Sequence, residues 1–433
     1  MAHVHCLLPY IFIHVIFAHG RSTQKVLLVS MDGFRWDYTN KWATPNFDKM
    51  AEYGTKAPFI NNTFITKTFP SHYSVATGLY EESHGIVGNV MYDPELNETF
   101  RIGNFDPKWW NGGEPIWVTA RKAGLRSATF FWPGSEAEVR GIRPIYYKTY
   151  DKSVLFKDRI KTVTNWLKSD IDIAVMYFHE PDATGHRFGP DAEETRAKVI
   201  EMDKVLGDLM DKLEDEGLWD NVNLIVTSDH GMTEVDFRNK VVDISTVVDL
   251  TAEIERTVDA GPIMQIVPFP DMRTNVYNNL KTLDNVDVYL KEDIPDFWHY
   301  RNNQRIMPIL VVAQEGWSIV TNATQASVIP NRGNHGYDNR LMSMKPIFYA
   351  RGPNIRRNFT ATPFISVDVY EMICSILKIE PAPNNGSLAR VQQFLIGEND
   401  ALKSDGMRNN FAYLRSDVSA ITVLVFMSFV VFA

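Results

Sequence analysis

Seven residues in five short strings carry side chains that could hold divalent cations around a hydroxyl group. They are Asp32 (VSMDGF), Thr68 (TKTFP), Asp182 and His186 (EPDATGH), Asp229 and His230 (TSDHG), and His335 (GNHGYD). Asp182 and His186 are one helical turn apart, or within reach across a tight loop, so both can grip one ion. Asp229 and His230 are adjacent, and neighbours on a strand point to opposite faces. Both can bind metal only if the chain turns at once, which Gly231 permits. Two ions could then share the set, and mixed imidazole and carboxylate ligands favour zinc over magnesium or calcium.

Thr68 supplies what the cations would act on. Pro70 suits the first position of a helix running through His72 to Thr77, which puts Thr68 at a helix N-terminus, where an anion is favoured. A threonine hydroxyl is a poor nucleophile at neutral pH until a cation lowers its proton affinity. Asn89 can donate an amide N–H to a phosphoryl oxygen as charge develops there. Singly these signals are weak: Thr68 alone reads as a helix cap, Asn89 as a turn residue, and SDHG or DxxxH as accidents. Their combination is what argues for a site. His72, His84, His179 and His299 lack a comparable carboxylate at a strand end and read as hydrogen-bonded groups or as groups outside the ligand set.

The positions of these residues follow from the elements before them. Apolar, β-prone runs precede three of the strings: 25–31 before Asp32, 173–178 before Glu180 and Asp182, and 222–228 before Asp229. Buried parallel strands read this way, and ligands of open α/β sheets gather beyond strand carboxyl ends. Residues 193–216 form the clearest helix, with Val199, Met202, Val205, Leu206, Leu209 and Leu213 on one face. Further crossovers are expected at 115–123 and 154–168. The fold class is therefore α/β, with a doubly wound, mainly parallel sheet. From about 250 to 330 the pattern changes to candidate strands at 264–267, 286–290 and 309–313 around a helical stretch at 272–280. A small inserted α+β subdomain is expected there, after which His335 returns the chain to the main site.

The 433 residues carry a formal charge of −9, which argues against a nucleic-acid polymer as partner. Residues 1–20 have the layout of a signal peptide, with an apolar run from Cys6 to Phe17 and a small-x-small site at Ala18 to Gly20. Residues 418–433 are almost wholly apolar and follow a polar spacer at 401–417, the layout of a GPI-attachment signal, with a short membrane anchor or a buried helix as alternatives. Sequons at Asn61, Asn97, Asn322, Asn358 and Asn385 agree with export. Cys6 would leave with the signal, so Cys374 is left alone in an apolar, helix-like segment where an inert thiol is expected.

At these residues the chain resembles the ecto-nucleotide pyrophosphatase/phosphodiesterase family of the alkaline phosphatase superfamily, from about Lys25 to Leu388. TKTFPSHYSVATGLYEESHGIVGNVMYD, FWPGSEAEVRGI, EPDATGHRFGP, TSDHGM, EGW and NHGYDN stand in that family's order and spacing. The resemblance implies an alkaline phosphatase-like fold and two zinc ions, one held by Asp182, His186 and His335, the other by Asp32, Thr68, Asp229 and His230. It implies in-line attack by Thr68, a threonyl-phosphoryl intermediate and release by zinc-activated water with overall retention. It also implies a base stacked between Phe69 and Tyr150. The chain departs from the family pattern at Ser71, where Asn is usual, and at His179, where Glu is common; either could alter substrate preference. It lacks somatomedin-like and nuclease-like domains, as the short, membrane-tethered members do, and the cysteine partners those members often carry.

The expectation is a cell-surface, zinc-dependent enzyme that releases nucleoside 5′-monophosphate from extracellular dinucleotides or nucleoside triphosphates. Its rivals are a choline-phospholipid phosphodiesterase on the same fold, a monoesterase of the alkaline phosphatase type, and a catalytically silent adhesion or receptor ectodomain. The threonine in TKTFP argues against the monoesterase, and the intact ligand set against the silent ectodomain.

Overall fold

Alternate residues of the Lys25–Met31 strand feed two different apolar cores, because the strand is covered on both faces. Val26 and Leu28 pack into one core with the helices Thr68–Thr77, Ile116–Lys122 and Asp368–Leu377. Leu27, Val29 and Met31 pack into the other with the helices Pro45–Glu52, Phe156–Ser169 and Glu193–Asp215. In this computed structural model residues 24–396 are described. The expected leader (1–20), spacer (401–417) and hydrophobic tail (418–433) lie outside the described residues.

The main sheet has eight strands in the order Phe359–Thr360, Thr55–Ala57, Phe348–Arg351, Val222–Thr227, Lys25–Met31, Ile173–Phe178, Ser127–Phe130 and Tyr146–Lys148. It is parallel except at Phe348–Arg351, which runs antiparallel to both neighbours. Helices on both faces make it the doubly wound, mainly parallel α/β sheet that the sequence predicts. The Glu193–Asp215 helix is the crossover between Ile173–Phe178 and Val222–Thr227. Its buried side chains, among them Val199, Met202, Leu206, Leu209 and Leu213, each contribute roughly 1.5–3 kcal/mol of burial.

Register is what matters for the site. Met31 pairs with Phe178 and Ser30 with Thr227, so the three central strands end level with one another. Asp32, His179 and Asp229 follow almost at once.

A separate four-stranded antiparallel sheet, ordered Ile254–Val258, Ile263–Pro268, Ile309–Ala313, Val286–Leu290, occupies the stretch with the changed pattern, together with the helix Arg273–Leu280. Ile254–Val258 is missing from the expected strands because it is an edge strand with Glu255 and Thr257 in solvent, and so reads as polar. Tyr337 packs into the core of this sheet, which anchors the chain just after His335.

Cys374 is buried in the Asp368–Leu377 helix, and burial pushes its thiol up to about 12, as an inert cysteine requires. Of the sequon asparagines, Asn97, Asn322, Asn358 and Asn385 are exposed, whereas Asn61 is half-buried and its Oδ1 accepts from Lys345 Nζ at 2.8 Å.

Candidate active site

Main-chain hydrogen bonds weld the strand ends together. Asp32 N donates to Phe178 O at 2.9 Å and Asp182 N donates to Asp32 O at 3.0 Å. Gly33 makes that approach possible: its φ is +66°, and a Cβ there would lie 2.8 Å from the Asp182 Cβ. The Asp182–Phe188 helix begins at Asp182, so of the two arrangements open to Asp182 and His186 the single helical turn is the one found. Asp229 and His230 do converge, but Gly231 serves a different purpose from the one expected. It has no left-handed φ; a Cβ on it would lie 2.1 Å from Ser343 O, so glycine is needed for close backbone packing.

The side chains of all five strings meet in one place. His230 Nε2 lies 2.9 Å from Asp229 Oδ2, 3.4 Å from Asp32 Oδ1 and 3.5 Å from Thr68 Oγ1. His186 Nε2 and His335 Nε2 lie 3.4 and 3.5 Å from Asp182 Oδ1 and 3.1 Å from each other. The rings of His230 and His335 stack at 3.4 Å and join the two halves. Asp182, His230 and His335 form one group able to hold a metal ion, and Asp32, Asp229 and His230 form another. His230 thus belongs to both, where the resemblance gives it to one ion only.

Two observations test whether the cluster suits cations. First, Nδ1 of each histidine faces a main-chain carbonyl oxygen: His186 to Gly333 at 2.8 Å, His230 to Gly231 at 2.9 Å and His335 to Thr66 at 2.8 Å. With Nδ1–H donating, each Nε2 lone pair is turned into the cluster. Second, one oxygen of each aspartate, Asp32 Oδ1, Asp182 Oδ1 and Asp229 Oδ2, is buried and accepts no hydrogen bond. The other oxygens of two are occupied: Asp32 Oδ2 accepts from Tyr177 Oη at 2.6 Å, and Asp229 Oδ1 from Gly33 N at 3.2 Å and Ser228 Oγ at 3.1 Å. A buried acceptor without a partner is costly, and a cation removes the cost. The donor set therefore fits divalent ions.

The electrostatics agree. Burial and the carboxylates of Asp229 and Asp182 push Asp32 well above the usual carboxylate range. Burial also opposes charge on Asp229, yet His230 and His72 hold it well below that range. Burial and the neighbouring imidazoles of His230 and His186 push His335 well below the usual histidine range. Like groups packed this closely disfavour one another's charged forms unless opposite charge lies between them.

Thr68 is the first residue of the Thr68–Thr77 helix, with Lys67 as its extended N-cap. Pro70 is therefore the third helical residue and not the first; its missing N–H is still one of the unpaired donors of the opening turn. Asn89 accepts from Phe69 N at 3.0 Å through Oδ1, which leaves its amide N–H groups for another partner. His72 lies one turn beyond Thr68, with Nδ1 2.7 Å from Thr68 O and 3.2 Å from Asp229 Oδ2, and Nε2 2.8 Å from Ser30 Oγ. It ties the Thr68–Thr77 helix to the cluster from outside the candidate ligand set. His84 Nε2 pairs with Ser74 Oγ at 2.9 Å, and His299 stacks on Tyr80 at 3.9 Å. His179 stays outside the candidate ligand set, as one of the two expectations has it; its Nδ1 is buried without a hydrogen bond and its ring packs against Phe156. Ser71 is buried, with Oγ 3.4 Å from Ile65 O.

A cleft of about 400 Å³ opens beside Thr68, Asp32 and Asp182. Phe69 and Tyr150 both line it. Phe105, Phe131, Trp132 and Tyr177 complete an aromatic wall, and Glu136 and Lys152 add polar edges with His179; none of these but His179 is singled out on its own in the sequence.

Residues 26–338 match the family model described as type I phosphodiesterase / nucleotide pyrophosphatase. The chain belongs to this family. It is 42% identical over 384 residues to mouse bis(5′-adenosyl)-triphosphatase enpp4, covering 87% of this chain and 82% of the relative. It is 40% identical over 395 residues to human ectonucleotide pyrophosphatase/phosphodiesterase family member 5, covering 90% and 82%. The structure of an inactive form of murine ectonucleotide pyrophosphatase/phosphodiesterase 5 in complex with AMP is similar at a TM-score of 0.83 and 42% identity, covering 86% of this chain and 100% of that one. As a family member the chain is a hydrolase of phosphodiester or pyrophosphate bonds. The family is metal-dependent, and the two groups around His230 are this chain's candidates for binding metal. No helix among the described residues is long and apolar enough to cross a membrane.

Proposed function

We propose that this protein is an extracellular, zinc-dependent nucleotide pyrophosphatase/phosphodiesterase that releases nucleoside 5′-monophosphate through a threonyl-phosphoryl intermediate. The observation that carries the reading is the set of three buried carboxylate oxygens without hydrogen bonds, facing three histidine Nε2 atoms beside Thr68. Asp182, His186 and His335 would hold one zinc ion; Asp32, Asp229 and His230, with Thr68, would hold the other. Bound there, the ions would lower the proton affinity of the Thr68 hydroxyl and offset charge on the phosphoryl oxygens.

Thr68 Oγ1 then forms a bond to phosphorus as the bond to the leaving oxygen breaks, and water later displaces Thr68 from the opposite side, so configuration is retained overall. Asn89, with Oδ1 fixed by Phe69 N, has its N–H donors available for a phosphoryl oxygen. Phe69 and Tyr150 would stack the base, a contact worth roughly 1–3 kcal/mol and tolerant of base identity. The AMP bound to the murine relative and the dinucleoside substrate in the mouse relative's name support nucleotides or dinucleotides as substrates. Export, glycans on the sequons and attachment to the outer face of the membrane through residues 418–433, as a GPI anchor or single span, complete the proposal.

The test is a substrate panel on the purified protein: the p-nitrophenyl ester of thymidine 5′-monophosphate, a dinucleoside polyphosphate and a lysophosphatidylcholine, each with and without chelator. Nucleotide turnover that chelator abolishes is expected, and Thr68→Ala should lose at least about a thousandfold in kcat. Parental turnover by Thr68→Ala, or preference for the lysophospholipid, would overturn the reading.

A further inference from the structure

Arg159, on the Phe156–Ser169 helix, is fully buried. Its guanidinium meets carbonyl oxygens and ring faces, where a buried arginine ordinarily meets a carboxylate. Nη1 donates to Tyr177 O at 2.9 Å, while Nε and Nη2 donate to Val154 O at 3.2 and 3.1 Å. Cζ lies 4.9 Å from the ring centroid of Phe131, 5.0 Å from that of Phe156 and 5.8 Å from that of Phe178.

Two of these contacts lead to the cleft. Phe131 lines it with a φ of 68°, a conformation that a bulky side chain rarely adopts, and packs edge-on against Tyr150 at 5.2 Å. Tyr177 lines it as well, 6.2 Å from the Tyr150 ring. Tyr150 itself is 43% exposed, so its orientation depends on the few rings that touch it. Arg159 holds both of them, one by its π face and the other by its carbonyl.

We propose that Arg159 is a positioning residue for substrate specificity: by gripping Phe131 and the Tyr177 main chain it sets the Tyr150 ring at the angle that stacks a nucleobase. The proposal rests on the nucleotide reading above. It differs from a simple space-filling role, because a neutral side chain of similar length would fill the same volume without attracting ring faces or donating to the carbonyls.

The experiment compares Arg159→Met, Arg159→Lys and Tyr150→Ala with the parent on two substrates sharing a leaving group: the p-nitrophenyl ester of thymidine 5′-monophosphate and p-nitrophenyl methyl phosphate, which carries no base. Arg159→Met is expected to raise KM for the thymidine ester about tenfold, with kcat and the methyl ester within about twofold. Arg159→Lys, which keeps the cation but not the fork, is expected to give a smaller rise on the same substrate only. Equal loss on both substrates means a scaffold role and overturns the proposal. No change on either, with KM for the thymidine ester raised by Tyr150→Ala, also overturns it while leaving the nucleotide reading intact. An unchanged KM in Tyr150→Ala removes base stacking itself and the proposal with it. If Arg159→Met does not fold, Arg159→Lys decides: a base-selective rise supports the proposal and a uniform loss overturns it.

Discussion

His335 Nε2 lies 3.1 Å from His186 Nε2, and both rings face a main-chain carbonyl oxygen with Nδ1. With Nδ1–H donating, two neutral rings would point lone pairs at each other across that gap, beside an Asp182 oxygen that accepts no hydrogen bond. Such an arrangement repels unless a cation is shared. Chelation of the purified protein is therefore expected to lower Tm as well as activity, and zinc to restore both. An ion present at a thousandfold above its Kd contributes about 4 kcal/mol to stability. Identical Tm values with and without chelator would contradict the arrangement.

The two metal groups should be separable by mutation. His186 touches only the Asp182 side of the cluster, so His186→Ala should lose about one ion per chain while the Asp32, Asp229 and His230 group keeps the other. Native mass spectrometry reads this directly. Loss of both ions, or of neither, would show that the groups are not independent in this way.

Phe69 and Tyr150 share the cleft but differ in burial, which predicts different phenotypes. Phe69 is 9% exposed and packs on Phe100 and Trp110 at 6.3 and 6.0 Å, so Phe69→Ala should lose about 3–5 kcal/mol of stability and also raise KM. Tyr150→Ala should raise KM for nucleotides about tenfold with stability changed by less than about 0.5 kcal/mol. Denaturant melts beside steady-state kinetics separate the two effects.

Glu81 should confer a pH dependence. It is fully buried, Oε1 accepts from Thr63, and Oε2 has no partner. Burial pushes its carboxyl well above its ordinary value of 4.5, so the fold keeps a proton that the unfolded chain releases. The stability this gives is complete below the unfolded value and is lost as pH rises towards the folded one. Glu81→Gln removes the loss, so its Tm relative to the parent should rise between pH 5 and pH 8. A difference independent of pH would contradict a buried, protonated carboxyl.

The central strands were legible because burial on both faces writes itself as an unbroken apolar run, as in Ile173–Phe178, and the candidate ligands follow directly. The antiparallel Phe348–Arg351 strand was not, since four residues carry too little pattern to reveal direction. Gly231 shows a second limit: the sequence marks the position, while the reason, the approach of Ser343 O, comes from residues over a hundred positions away. The aromatic wall was hidden for a third reason. Phe131 has a left-handed backbone that nothing in a phenylalanine announces, and Tyr177 sits inside a strand where it reads as ordinary core.

Anomalous diffraction at the zinc edge from crystals of the zinc-loaded protein tests the central claim most directly. Two peaks are predicted, one contacting Asp182, His186 and His335, the other contacting Asp32, Asp229, His230 and the Thr68 hydroxyl. A single peak, or peaks that leave the Thr68 hydroxyl untouched, would contradict it.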